Sequence, residues 1–139
     1  MNERYERGLA IRREVLGREH VDATLAAADE IGRPLQELVT EYCWGELWAR
    51  PGLPRTTRSL LNIGILTALN RPHELQLHTQ GALRNGCTES EISEVVLQTA
   101  IYCGVPAAVD ALRNVRAGVA AFTGDSESAG AVSERPPVP

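Results

Sequence analysis

The chain has no lysine: all fourteen of its basic residues are arginine. Schiff-base chemistry needs a lysine amine, with the substrate or with pyridoxal phosphate, so that route is closed. The phosphate-cradling Gly-Lys-Ser/Thr loop is closed too. Aromatic residues make up 4% of a chain that is 43% hydrophobic. The core must therefore be built from Leu, Val, Ile and Ala, a mix that suits packed helices. No apolar run reaches the ~18 residues that would span a bilayer. The start, MNERYERG, is charged and carries no hydrophobic signal segment, so a cytoplasmic location is expected. The three cysteines, Cys43, Cys87 and Cys103, form no C-x-x-C. A dithiol redox site and a cysteine-rich zinc site are both unsupported, and three buried free thiols are expected. A net charge of −4 with no basic stripe argues against nucleic acid or an anionic membrane as partner.

What is present is helical periodicity. In 139 residues there is room for one domain with one core. Residues 2–16 read as a charged first helix ending at Gly17, and His20 to Asp29 as a short second one. Pro34 opens a helix whose apolar stripe is Leu35, Leu38, Val39 and Tyr42, running to about Trp48. The next helix, to about Asn70, is apolar on nearly every side, which suits the centre of a bundle or a subunit interface. Pro72 opens a helix that ends at Asn85-Gly86. Thr88 to Glu91 is a capping box. Gly104 separates the helix that follows from a last one. No period-2 alternation appears, so an all-α domain of six to seven helices is expected over residues 1–122. Residues 123–139, rich in Gly, Ser, Ala, Pro and acid, read as a disordered tail.

Polar residues in the phase of the core are where chemistry is to be sought. His78 shares a face with Leu75 and Ala82, whereas His73 falls off that face and is expected in solvent. Glu46 continues the Leu35, Val39, Tyr42 stripe. Arg58 and Asn62 lie one turn apart on the most apolar helix. Tyr102 stands at a helix end beside Cys103. Each has an ordinary structural explanation, as a satisfied core group, a salt-bridge partner or core filler. By themselves these residues support only a small helical domain with a His/Glu/Arg pocket.

Five blocks carry more: W-G-E-x-W-x-R-P-G-L, R-S-L-L, E-L-x-x-H-x-x-x-A-L-x-N-G, T-x-x-E-I-x-E-V-x-x-Q and A-I-Y-C-G-V-P-A-A. Together they resemble the γ-carboxymuconolactone decarboxylase subfamily over roughly residues 10 to 122. The wider superfamily includes alkylhydroperoxidase D-type proteins, whose C-x-x-C precedes a histidine. The matching positions here are Arg71 and Glu74, before His78, so that peroxidase activity does not carry over. The resemblance implies an alkylhydroperoxidase D-like helical fold and a homo-oligomer, a hexamer built as a trimer of dimers. It implies loss of CO₂ from 4-carboxymuconolactone to give β-ketoadipate enol-lactone, with no metal and no organic cofactor.

That reaction sets three needs. The carboxylate that stays must be gripped, for which Arg58, Arg33 and Arg50 are the candidates. Charge developing on the lactone oxygen needs a donor. The dienolate carbon needs a proton. His78 can meet either of the last two needs, and the proton is favoured. Glu46 either holds the His78 tautomer or handles the proton itself. The leaving carboxylate belongs in an aromatic part of the site, which Trp44 or Tyr42 would supply, and Tyr102 is a further binding candidate. Two other readings compete: a thiol-based antioxidant protein using Cys43 or Cys103, and a same-fold scaffold or catalyst for another lactone or keto acid in a biosynthetic cluster.

Overall fold

The computed structural model describes residues 2–133, with side chains to residue 124. Seven α-helices and one π-helix follow one another, and no strand occurs among the described residues. They are α1 (Glu3–Leu16), α2 (Arg18–Ala27), α3 (Arg33–Leu38), the π-helix (Val39–Leu47), α4 (Arg55–Ala68), α5 (Pro72–Arg84), α6 (Glu89–Tyr102) and α7 (Val105–Ser133). The signals in the sequence act as expected. Thr88 Oγ1 accepts the Glu91 N–H at 3.0 Å while the Glu91 carboxylate accepts the Thr88 N–H at 2.9 Å. Gly86 and Gly104 take φ of 99° and 104°, the left-handed conformation that ends α5 and separates α6 from α7.

The apolar residues form two clusters. Ile11, Val15, Leu16 and Val21 of α1 and α2 pack with Trp44 and Trp48 of the π-helix segment. Ile63, Leu75, Ala82, Ile92, Val96, Ala108, Ala111 and Val115 pack α4 to α7 together. Helix α5 joins them. Its Gly81 lies where an added methyl would meet Val15 of α1, and its Thr79 lies equally close to Gly118 of α7. A side chain on α5 can thus face the first cluster while its helix is held by the second.

Two expectations, on the Leu35 stripe and on the thiols, are corrected. The stripe Leu35, Leu38 and Tyr42 is exposed, and Thr40, Trp44 and Trp48 are buried instead. From Val39 onward the ladder runs i to i+5, as in Trp48 N–H to Cys43 O at 3.0 Å, so a 3.6-residue phase carried past that residue misplaces Tyr42 and Trp48; Leu35 and Leu38 precede the π-helix and lie on a face of α3 that this protomer leaves uncovered. On α4 only Ser59, Ile63 and Thr67 are buried, and Leu61, Ile65 and the C-cap Leu69 face outward, so of the two places expected for this helix the centre of the bundle is not the one seen within this protomer. Of the thiols only Cys87 is buried; Cys43 is half-buried and Cys103 exposed, because Cys103 sits at the C-cap of α6. Helix α7 runs to Ser133, into the stretch read as a tail. Residues 134–139 of the expected tail lie outside the described residues.

Candidate active site

His78 projects from α5 into the seam between the clusters. Leu75 and Ala82 on the same face are fully buried, and His78 itself is half-buried. Its ring lies nearly parallel to that of Trp44, with centroids 6.3 Å apart and planes 6° from one another. Trp48 flanks it at 6.4 Å and 25°. The two indoles stack on each other at 4.8 Å and are 3% and 4% exposed. The imidazole therefore has an apolar wall made of both indoles, each about equally close to it. His78 Nδ1 is buried and has no hydrogen-bond partner among the described residues. Desolvation lowers the His78 pKa below the usual histidine range, and the Glu74 carboxylate, one turn earlier on α5, opposes that in part. Burial thus favours the neutral imidazole in the free protein.

The other expected site residues divide. Trp44 stands beside His78, as the resemblance implies. Glu46 does not: it is about half exposed and pairs with Arg4 of α1 at 3.4 Å. The π-helix again explains it, because the segment that turns Trp44 inward turns Glu46 out. Glu46 thus neither bonds His78 Nδ1 nor shares its apolar environment. Arg58 lies in the first turn of α4 and donates to the Arg50 carbonyl at 3.3 Å, while its Nε is buried and unpartnered. Arg58 makes no ion pair among the described residues, so its guanidinium is open to an added carboxylate. That bond ties it to the chain two residues after Trp48. Arg50 and Arg33 are exposed, and Arg33 reaches only the Ala28 carbonyl at 3.5 Å. Tyr102 is 83% exposed at the end of α6, neither core filler nor near the indoles. Tyr42 is exposed and lies under the Arg4 guanidinium at 5.1 Å. Asn62 is half-buried and His73 exposed.

Three residues at or beside the site were passed over in the sequence. Trp48 is one turn from Trp44, a spacing that alone suggests a pair. Glu74 is i−4 to His78 on one helix face. Arg12 is 6% exposed on α1, in phase with Gly8, Ile11, Val15 and Leu16, and that phase is the signal in the sequence that marks it.

The histidines make stability depend on pH. Burial lowers the pKa of His20 as well as that of His78. In the unfolded chain both titrate near the ordinary value of ~6.5, so below it the unfolded state holds more protons and stability falls with falling pH. Denaturation midpoints are expected to drop between pH 7 and pH 5, and less steeply in His78→Phe. Equal slopes in the two proteins would remove His78 as the cause.

Among the described residues no helix is long and apolar enough to cross a membrane, and no three His, Cys, Asp or Glu side chains group as a metal site. Residues 33–117 match the model of the carboxymuconolactone decarboxylase family. The chain is 47% identical over 108 residues to a nitrosuccinic acid decarboxylase of Metarhizium robertsii, covering 78% of this chain and 76% of that protein. It is 43% identical over 105 residues to a 4-carboxymuconolactone decarboxylase of Acinetobacter baylyi, covering 76% and 78%. A protein from the nqo9–nqo10 intergenic region of Paracoccus denitrificans is 34% identical over 97 residues, covering 68% and 70%.

Proposed function

The chain belongs to the carboxymuconolactone decarboxylase family, and from that premise we propose that it removes CO₂ from 4-carboxymuconolactone to give β-ketoadipate enol-lactone. The observation that carries the site assignment is His78, unpartnered at Nδ1 against two stacked indoles. The C–C bond to the departing carboxylate breaks and CO₂ leaves. The electron pair passes through the ring double bond to the lactone carbonyl. The substrate is its own electron sink, so the chemistry asks for no lysine. A carboxylate against the indoles loses water that it would otherwise keep, and CO₂, being neutral, does not. Arg58 grips the carboxylate that stays. The dianionic substrate raises the His78 pKa, so the imidazole takes up a proton on binding and delivers it to carbon. Consequently the kcat profile loses activity at a higher pH than the kcat/KM profile does, since the first reports the complex and the second the free enzyme. Coincident limbs would show that substrate does not recharge His78.

Similarity to the nitrosuccinic acid decarboxylase favours one second reading. Nitrosuccinic acid also has two carboxyl groups, one of them on the carbon that bears the nitro group. That nitro group can accept the electron pair in the same way. CO₂ release is to be followed on 4-carboxymuconolactone, formed in place from 3-carboxy-cis,cis-muconate by a cycloisomerase, and on nitrosuccinate in parallel. A higher kcat/KM for the lactone supports the first reading, a higher one for nitrosuccinate the second, and release from neither overturns both. Burial pushes the Cys43 and Cys87 thiols up, away from reactive thiolates, so thiol blocking is expected to leave release intact.

The protein acts as a homo-oligomer, a trimer of dimers, in the cytoplasm. Two separate exposed apolar surfaces support this: Ile31, Leu35, Leu38 and Tyr42 around α3, and Leu61, Ile65, Leu97 and Ile101 on α4 and α6. The second adjoins an open groove of about 510 Å³ lined by Leu60, Leu61, Ile65 and Val95. A closed assembly of dimers into a trimer needs two different interfaces. Light scattering is expected to give a multiple of the 15.1 kDa protomer, and Ile65→Glu and Leu35→Glu each to yield a smaller species. A wild-type monomer would overturn this.

A further inference from the structure

Arg12 is a buried cation that forms no ion pair among the described residues. Its guanidinium forks between two neutral oxygens: Nη1 donates to Thr40 Oγ1 at 2.9 Å and Nη2 to Gln36 Oε1 at 2.8 Å. Thr40 Oγ1 in turn donates to the Gln36 carbonyl at 2.7 Å. Gln36 is in α3 and Thr40 in the π-helix, so the fork spans the point where an i to i+4 ladder gives way to an i to i+5 ladder. Gln36, Thr40, Trp44 and Trp48 follow at intervals of four. The last two are the indoles that wall His78. One turn before Arg12, Gly8 brings the α1 backbone against Thr40 and Gly45 of the same π-helix.

A buried cation on neutral partners is a poor stabiliser, because an apolar side chain of similar size often serves as well or better. Burial does disfavour the charged form of Arg12. A planar fork is instead good at fixing the relative position of two acceptors. We infer that Arg12 is a positioning residue: its fork across Gln36 and Thr40 sets where the α-helix turns into the π-helix, and so holds Trp44 and Trp48 against His78. Without it the segment relaxes toward an α ladder, which swings both indoles around the axis and away from the imidazole. The inference rests on His78 as the reacting group of the proposed decarboxylation.

Arg12→Met tests it. Thr40 keeps its bond to the Gln36 carbonyl and the half-buried Gln36 amide can reach water, so no buried polar group is stranded. The variant is expected to fold with native far-UV circular dichroism. It is expected to lose the near-UV signal of the stacked indoles. The His78 resonance is expected to titrate closer to the ordinary ~6.5 as the apolar wall lifts. kcat falls by roughly 10²-fold with little change in KM, as for a misplaced reacting group. Arg12→Lys retains the charge and cannot span both oxygens, so it is expected to behave as Arg12→Met does; should the Met variant not fold, Arg12→Lys carries the same readings. Native near-UV spectrum and native His78 titration in the folded variant would overturn the inference, as would wild-type behaviour of Arg12→Lys. These spectroscopic readings do not depend on which acid is the substrate. Their outcome therefore stands apart from any failure of the proposed reaction.

Discussion

His78→Gln is expected to lower kcat for CO₂ release by about 10²–10⁴-fold, the range for loss of a general acid. Glutamine keeps much of the volume beside the indoles and offers no titrating proton. The variant should therefore retain far-UV circular dichroism, thermal midpoint and substrate binding while losing turnover. Glu46→Gln is the informative companion. The sequence places Glu46 with His78, but the structure pairs it with Arg4 at the surface, so within one protomer its replacement should leave kcat within a few-fold of wild type. A loss comparable to that of His78→Gln would return the proton to Glu46. Arg58→Met should act differently from both. Losing a grip that is equal in substrate and transition state raises KM and leaves kcat nearly unchanged. If His78→Gln retains wild-type kcat, His78 is a packing residue, and its unpartnered nitrogen has no catalytic meaning.

The second large effect is structural. Gly8→Val is expected to destabilise the fold by roughly 3 kcal/mol or more, at the upper end for overpacking. An added Cβ at Gly8 would overlap the Thr40 carbonyl oxygen and lie 2.7 Å from the Gly45 nitrogen. Both are backbone atoms, with no side-chain torsion free to move them aside. Helix α1 would have to lift off the π-helix, loosening the cluster of Ile11, Val15, Trp44 and Trp48. The cost should thus appear in the near-UV spectrum of the indoles as well as in the denaturation midpoint. Gly124→Ala is the control: a Cβ there meets nothing within 4 Å, and alanine is the better helix former by up to about 1 kcal/mol. Gly8→Val with a native midpoint would mean that α1 is not held against the π-helix as described.

The sequence by itself determined the elements whose signals are local. Pro34 and Pro72 at helix starts, the Thr88–Glu91 box and the glycines after α5 and α6 each act within a few residues of themselves, so they read correctly without a fold. The inward face of Leu75, His78 and Ala82 was legible for the same reason, since α5 keeps a regular 3.6-residue phase from end to end. The blocks around Trp44, His78 and Tyr102 also carried the family. Only the tertiary structure decided what crosses the π-helix. No residue from Val39 to Leu47 announces the extra residue per turn, because it is held from outside, by the Arg12 fork and by the close approach of Gly8. That one change of phase buried Trp44 and Trp48, exposed Tyr42 and Glu46, and separated Glu46 from the histidine that it was expected to serve. The exposure of Leu61, Ile65, Leu97 and Ile101 was not legible for a related reason: helix phase shows that a face is apolar, but whether the same chain covers that face depends on how the helices are arranged. In this protein α4 and α6 leave theirs open, which is the observation that the proposed oligomer rests on.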